Sequence, residues 1–253
     1  MKKYDIVIFG ATGFTGKLIC DYLLSHKQSE KLNIALAARN KNKLEKIVEK
    51  HKQINPAIII ADSFDKKAID SMTESAKLVI TVVGPYILYG EYLVESCIKN
   101  STHYLDLTGE PNFVNKIKSN YNESAIQSKS IVINCCGLES IIPDIGVLYT
   151  VKKMKSDKKD VTFYFKGNGS ISGGTWASFI NVVYSNYQFV NQFKKRNAKR
   201  KEIKKLYYNN EFKSWVFIFP DIDKQIIYRS SQSNSIYGNN FSFIKYMMIK
   251  KIS

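Results

Sequence analysis

The segment Tyr4–Gly16, with the sequence YDIVIFGATGFTG, gives the clearest indication of how this chain folds. Its apolar residues Ile6–Phe9 predict a buried β-strand, and a helix is predicted to begin near Phe14. In a dinucleotide-binding turn, the first glycine allows a tight reversal and the second lets the backbone approach a pyrophosphate. The third glycine lets the helix pack closely against the strand. The spacing GxxGxxG supplies these glycines as Gly10, Gly13 and Gly16.

The start of the helix is predicted to hold the pyrophosphate through backbone N–H groups and the helix dipole. The hydroxyl groups of Thr12 and Thr15 would add donors. A purely structural strand, turn and helix remains the alternative. The apolar face of the helix is predicted to contain Leu18, Ile19, Tyr22 and Leu23. The predicted cofactor contacts in this turn are Gly10, Ala11, Thr12, Gly13, Phe14, Thr15 and Gly16.

The second strand is predicted to end at Ala38, where an NAD site usually places a carboxylate on the ribose 2′-hydroxyl. Here Arg39 follows, and its guanidinium can bind a 2′-phosphate. This charge pattern favours NADP over NAD, with solvent exposure of Arg39 as the alternative. After the third strand, Asp62 is predicted either to meet the adenine amine or to cap a helix together with Ser63.

The fourth strand is predicted to end in Val82–Tyr86, with the sequence VVGPY. Carboxyl ends of central strands border the ligand crevice in open α/β sheets, so Val83, Gly84 and Pro85 are predicted to contact the nicotinamide half. Tyr86 is the candidate proton donor, and a buried aromatic anchor is its alternative. No residues have the spacing of a metal site or of a nucleophile–base pair.

The first half of the sequence alternates predicted strands with predicted helices, which is typical of a parallel sheet with crossover helices. We therefore predict an α/β, doubly wound Rossmann domain over residues 1–155. A second domain with a basic tail is predicted over 156–253, because the polar, charged stretch Lys152–Asp160 suggests a boundary and the strand after it alternates. Its predicted elements are strands at 160–166, 214–219 and 225–230 and an apolar helix at Thr175–Val190.

The net charge of +16 is distributed unequally along the 253 residues. The first 150 residues contain 18 basic and 16 acidic side chains, whereas the remaining residues contain 20 and 6. This asymmetry predicts an anionic contact for the second half, and its densest run is Lys194–Lys205. A solvated basic face is the alternative. Nucleic acid is the least favoured partner because few aromatic residues interrupt the run.

Targeting signals are not apparent in the sequence. No window reaches the roughly 18 apolar residues of a membrane-spanning helix, and the first predicted strand leaves no room for a secretory signal. The cysteines lack metal-ligand spacing and are expected to be reduced thiols. We therefore expect a cytoplasmic protein.

Several segments together resemble the saccharopine dehydrogenase-like oxidoreductases. They are VIFGATGFTG, LAARN, VVGPYILYGEYLVESCIKNSTHYLDLTGEPNF, GLESIIPDIGVLY and GGTWAS. The resemblance is close over about residues 4–180, and the long third segment is its most specific element. It implies a Rossmann domain followed by a mixed α+β domain for substrate binding or dimerisation, of which residues 156–253 would form a part.

The resemblance implies an NADP-dependent oxidoreductase that transfers hydride to a carbonyl or enoyl group of a lipid-like substrate. The group includes bacterial trans-acting enoyl reductases of glycolipid synthesis and animal proteins of lipid droplets. Contact with an anionic membrane or droplet surface and a homodimer are therefore further expectations. Two departures are visible: GLESIIPDIG replaces the usual GFDSIP-x-D-x-G, and family members continue beyond the end of this sequence. A truncated paralogue that binds nucleotide or associates with a lipid surface, without catalysis, is the alternative function.

Overall fold

The computed structural model describes residues 2–167, 204–218 and 222–249. The chain divides into two compact units, and among the described residues the first unit is 2–136 and the second is the remainder. The predicted division into domains at residue 155 stays a prediction. The predicted helix at Thr175–Val190 and almost all of the basic run at Lys194–Lys205 lie outside the described residues.

The first unit is built on a six-stranded sheet with the order β3-β2-β1-β4-β5-β6, and its neighbouring strands pair in parallel. This order reverses direction at β1, as in doubly wound folds. The strands are β1 (Tyr4–Phe9), β2 (Ile34–Ala38), β3 (Ala57–Ile60), β4 (Ala76–Thr81), β5 (His103–Asp106) and β6 (Val132–Ile133).

Helices cover the sheet on both faces, and the short strands are accordingly mostly apolar. Local signals set the helix starts: Asn40 and Asp65 accept hydrogen bonds from backbone amides of the helices they precede, and Pro111 occupies a first turn. The helices of this unit are α1 (Phe14–Leu24), α2 (Lys41–Lys50), α3 (Lys66–Ser75), α4 (Tyr86–Tyr89), α5 (Glu91–Lys99) and α6 (Pro111–Ser128), with a 3-10 turn at Lys27–Lys31.

Each face of this sheet has its own core. Val7 and Phe9 of β1 point to the face that α3, α5 and α6 cover. Ile8, the residue between them, points to the face that α1 and α2 cover. The alternation follows from the two-residue period of a strand. The predicted doubly wound α/β fold is confirmed.

The predicted apolar face of α1 was wrong in part. Gly16, Cys20 and Leu24 form the buried face, at a spacing of four residues. Leu18 and Tyr22 are exposed instead. The helix is apolar over most of its circumference, so periodicity alone did not identify the face that meets the sheet.

The described part of the second unit has a four-stranded mixed sheet with the order β7-β10-β9-β8, in which β7 and β10 pair in parallel and the other two pairs are antiparallel. Helices pack against it around Val147, Ile227 and Phe243. The strands are β7 (Lys158–Phe165), β8 (Leu206–Asn209), β9 (Ser214–Phe217) and β10 (Asn240–Ile249); the helices are α7 (Leu138–Lys153) and α8 (Asp223–Ser233), with a 3-10 turn at Ser235–Tyr237.

The strand predicted at 225–230 was wrong, because these residues lie within α8. Asp223 and Ile227 are both fully buried, at helical spacing. Asp223 is paired with Lys245 of β10 and accepts a hydrogen bond from Ser140 of α7 at 3.1 Å. A short apolar run such as Ile226–Tyr228 fits either a strand or one side of a helix, and packing selected the helix.

Candidate functional site: a dinucleotide site at the carboxyl edge of the sheet

The glycine turn, Gly10–Gly16, joins β1 to α1. Gly10 has a φ of +89°, a backbone conformation that residues with a Cβ rarely adopt. A Cβ there would also lie 2.9 Å from Cγ2 of Val83. Gly10 therefore allows both the reversal of the chain and the close approach of the β4 end.

Gly16 brings α1 against the turn. A Cβ at this position would lie 2.1 Å from the carbonyl oxygen of Gly10 and 2.9 Å from the backbone of Ala11. Both neighbours are backbone atoms, which cannot rotate away as a side chain can. Close packing of helix on turn thus depends on a missing methyl group, as the spacing predicted.

The first turn of α1 is suited to bind an anion. Gly13 is the N-cap residue in extended conformation, no side chain caps it, and the first turn holds no acidic residue. The amino end of the helix dipole is therefore not compensated by local negative charge. Backbone N–H groups of this turn could hold the pyrophosphate, as predicted for the glycine turn.

The predicted contacts from three strands meet at one edge of the sheet. Phe9 at the end of β1 is in register with Ala37 of β2 on one side and Thr81 of β4 on the other. Gly10 N–H donates to the carbonyl of Ala37 at 2.9 Å, and Val82 N–H donates to that of Phe9 at 3.0 Å. The glycine turn, Arg39 and the β4 turn, defined as Val83–Pro85, thus follow neighbouring strand ends.

Arg39 projects from the end of β2 with its side chain 76% exposed. One guanidinium nitrogen lies 3.7 Å from a carboxylate oxygen of Asp62 after β3. An exposed pair at this distance is weak, so the guanidinium is available to a 2′-phosphate. Asp62 does not cap α3, whose N-cap is Asp65; Asp62 instead accepts a hydrogen bond from the amide of Phe64 at 2.9 Å.

Tyr86 follows the β4 turn and is 6% exposed. Its hydroxyl donates to the carbonyl of Thr81 at 3.3 Å and accepts from the amide of Leu107 at 3.4 Å. Its ring packs against Phe113. These contacts match the alternative of a buried anchor, and proton donation by Tyr86 stays a prediction.

A buried carboxylate that sequence reasoning did not single out fixes the chain after the β4 turn. Glu110 is 3% exposed, and its two oxygens accept hydrogen bonds from the amides of Tyr86 and Ile87, each at 2.9 Å. These amides open α4. The signal in the sequence was an acidic residue directly before Pro111, since proline is common in the first turn of a helix.

A second buried carboxylate, Asp106, organises the ends of β5 and β6. One oxygen accepts from the amides of Thr108 and Cys135 at 3.0 and 2.9 Å. The other accepts from the hydroxyl of Tyr104 and the side-chain amide of Asn134 at 2.9 and 2.6 Å. Burial raises the pKa of Asp106, and these hydrogen bonds oppose the rise.

An apolar groove of about 400 Å³ runs beside α1 toward this edge. Leu18 and Tyr22 line it from the helix, and Ile80 and Leu105 line it from the sheet. Asp106 and Cys136 lie at its strand-end side, and burial raises the pKa of the Cys136 thiol to about 11. The exposed apolar side chains of α1 therefore border a concave surface.

The described residues contain neither a metal-binding cluster nor a membrane-spanning helix. In the ranges that the structure describes, His, Cys, Asp and Glu do not gather in a group of three or more that could hold a metal ion. Within the same ranges, every helix is too short or too polar to cross a bilayer.

Residues 6–136 match a family described as the saccharopine dehydrogenase NADP-binding domain. The match ends at the residue where the first compact unit ends. The chain belongs to this family. Its first unit is accordingly an NADP-binding domain, and the predicted cofactor and the resemblance are confirmed at the level of the family.

Relatives with curated names support the same assignment. A "Saccharopine dehydrogenase-like oxidoreductase" of Mus musculus is 35% identical over 71% of this chain and 46% of its own length. A "Lipid droplet localized protein" of Caenorhabditis elegans is 34% identical over 71% of this chain and 45% of its own. A "Putative trans-acting enoyl reductase" of Mycobacterium tuberculosis is 35% identical over 72% and 45%. The chain spans about half the length of these relatives.

Among solved structures, the apo saccharopine dehydrogenase (L-Glu forming) of Saccharomyces cerevisiae is similar, with a TM-score of 0.54. The likeness covers 66% of this chain and 35% of that one at 16% identity. At this identity the likeness shows the fold alone.

Proposed function

We propose that this protein is an NADP-dependent oxidoreductase that transfers hydride to a carbonyl or enoyl group of a lipid-like substrate. One observation carries the proposal. The uncapped helix start at Gly13 and the exposed cation Arg39 follow the ends of two neighbouring strands, β1 and β2. The former suits a pyrophosphate and the latter a 2′-phosphate.

The roles of the residues follow from their places along the strand ends. The glycine turn would bind the pyrophosphate through its amides, and Arg39 would bind the 2′-phosphate. The β4 turn would border the nicotinamide ring. The bound cofactor supplies the hydride, and the protein supplies binding and orientation.

A lipid-like substrate is supported by the apolar groove beside α1. Its lining side chains, among them Leu18 and Leu105, offer hydrocarbon contact, and its strand-end side lies at Asp106. The names of the relatives from C. elegans and M. tuberculosis point in the same direction. Peripheral contact of the basic second half with an anionic membrane or droplet surface is part of the proposal, since basic residues near such a surface are attracted to it.

The alternative function is nucleotide binding without catalysis. The observation that favours it is the hydroxyl of Tyr86, which is bonded to the backbone of Thr81 and Leu107. A hydroxyl held in this way is not presented to a substrate. The first unit would then bind NADPH and leave it unoxidised.

The test is a titration of the chain with NADPH and NADH, together with Gly13→Asp and Arg39→Ala variants. Asp is a favourable N-cap residue, so Gly13→Asp should fold normally and yet abolish binding, because its carboxylate occupies the place of the pyrophosphate. Arg39→Ala should weaken NADPH about tenfold or more and leave NADH unchanged, as expected for a lost charge-assisted contact.

The matched control is Lys118→Ala, which removes an exposed cation from α6 and should alter neither affinity. Wild-type protein that binds neither nucleotide would contradict the proposal. Binding followed by oxidation of NADPH with a long-chain enoyl thioester supports the reductase. Binding without oxidation of NADPH by any carbonyl or enoyl compound supports the non-catalytic alternative.

A further inference from the structure

The side chain of Glu110 joins two parts of the first unit that are 23 to 24 residues apart in sequence. It lies before α6, and its carboxylate binds the first two amides of α4. The start of a helix leaves amides without intrahelical acceptors, and in a buried setting each needs another partner. Glu110 is that partner for both Tyr86 and Ile87.

The backbone of Glu110 is itself held in place. Its amide donates to the hydroxyl oxygen of Thr108 at 3.1 Å, and its carbonyl accepts from the amide of Val114 at 3.2 Å. Phe113, three residues further on, is fully buried in the core beside Gly90. The carboxylate therefore extends from a fixed point, and it fixes the start of α4 in turn.

Immediately before α4 lies the β4 turn. Its other side is set by β4, where the amide of Val83 donates to the hydroxyl of Thr81 at 3.3 Å. The turn is thus held at one end by the sheet and at the other by Glu110. Because Glu110 is buried and its oxygens bind backbone amides, its influence on a ligand passes through this turn.

We propose that Glu110 is a positioning residue for the nicotinamide half of the cofactor, an inference that rests on the NADP-dependent function proposed above. The carboxylate keeps Val83–Pro85 at the strand edge beside the glycine turn. Loss of the carboxylate leaves buried amides without their acceptor, and the turn moves to satisfy them elsewhere. The adenosine half, bound near Arg39, is unaffected.

The experiment compares two ligands on Glu110→Gln. NADPH spans both halves of the site, whereas 2′,5′-ADP contains only the adenosine half with its 2′-phosphate. We expect the dissociation constant of NADPH to rise about tenfold, as for one lost charge-assisted hydrogen bond, and that of 2′,5′-ADP to stay within about twofold. Amide hydrogen exchange at Tyr86 and Ile87 should accelerate in the free protein.

Glu123→Gln is the matched control, because Glu123 is an exposed glutamate on α6. It should change neither dissociation constant nor the two exchange rates. If Glu110→Gln does not fold, Glu110→Asp provides the same comparison, since it keeps the charge and withdraws the carboxylate by one methylene.

The outcomes separate this inference from the proposed function. Equal weakening of both ligands, or no weakening of NADPH, would overturn the positioning role while leaving the NADP site intact. Wild-type protein that binds neither ligand would overturn the proposed function and the positioning role together.

Discussion

The glycine turn and the β4 turn border the same edge of the sheet, and they are held in place by opposite means. Gly16 lets backbone pack on backbone, with the position of its absent Cβ only 2.1 Å from the carbonyl oxygen of Gly10. The β4 turn is instead followed by amides that a distant side chain, Glu110, binds. One turn depends on space that no side chain fills, and the other depends on a side chain that fills a buried space.

This difference determines what each turn tolerates. A turn built on missing side chains is sensitive to atoms added at its two crowded positions, Gly10 and Gly16, and insensitive to distant changes. A turn held by a buried carboxylate is sensitive to residues far away in sequence, because an amide that loses its acceptor inside the protein costs free energy. The segment from Tyr104 to Glu110 provides this second kind of support, because its buried carboxylates Asp106 and Glu110 bind backbone amides of distant residues.

The largest effect is expected from Gly16→Ala. The added methyl group would overlap the backbone of the glycine turn, so α1 must shift away from β1. We expect a loss of about 3 kcal/mol or more in the free energy of unfolding, at the upper end of the cost of overpacking. Urea denaturation, followed by circular dichroism, measures it.

Gly109→Ala is the matched control, at the glycine that directly precedes Glu110. Apart from its two chain neighbours, no residue has a heavy atom within 4 Å of the added Cβ, and the φ of Gly109 lies outside the left-handed region. The substitution should change stability by less than about 1 kcal/mol, with a slight gain from reduced freedom of the unfolded chain. If Gly109→Ala costs as much as Gly16→Ala, the two turns do not differ as described.

An intermediate effect is expected from Asp106→Asn. The substitution retains the shape of the side chain but points its NH₂ group at neighbours that are themselves hydrogen-bond donors. We expect a loss of about 2 kcal/mol at acidic pH. The pKa of Asp106 is raised by burial in the folded state, so the folded protein holds this proton more tightly than the unfolded chain does.

The pH dependence of that loss follows from the sign of the shift. The stabilisation that the protonated Asp106 side chain provides is fully present below the ordinary aspartate pKa of about 4. It declines as the pH rises through the raised pKa that Asp106 has in the folded protein. The stability difference between wild type and Asp106→Asn should therefore shrink from pH 4 toward pH 7 in urea denaturation. A difference that grows over this range would contradict a raised pKa.

Local features of the fold and the site could be predicted from the sequence. Gly10 and Gly16 stand in a spacing whose steric purpose is the same wherever it occurs, and Arg39 follows a strand whose end is marked by small residues. The strands of the first unit are short apolar runs between turn signals, which periodicity identifies. Each of these inferences uses only neighbouring residues.

Features that depend on contacts between distant residues could not be predicted. Leu18 and Tyr22 were predicted on the apolar face of α1 and are exposed, because the sequence does not indicate which side of an apolar helix meets the sheet. Asp106 and Glu110 are charged residues that a sequence pattern places in solvent. Their burial depends on amides near Cys135 and Tyr86, which only the folded sheet brings within reach.

The smallest effect is expected from Thr108→Val. Val has nearly the shape of Thr but lacks its hydroxyl. In the wild type this fully buried hydroxyl accepts a hydrogen bond from the amide of Glu110 at 3.1 Å. The unpaired amide should lower the free energy of unfolding by about 1 kcal/mol.

The double variant Thr108→Val with Glu110→Gln tests whether the two residues act together. Because Thr108 and Glu110 belong to one network, its loss of stability should be smaller than the sum of the two single losses by at least about 0.5 kcal/mol. Combined with Lys118→Ala, an exposed site on α6 outside that network, the loss should be additive. Additivity in both double variants would mean that the β4 turn is supported by separate contacts, and the contrast with the glycine turn would then be one of residue type alone.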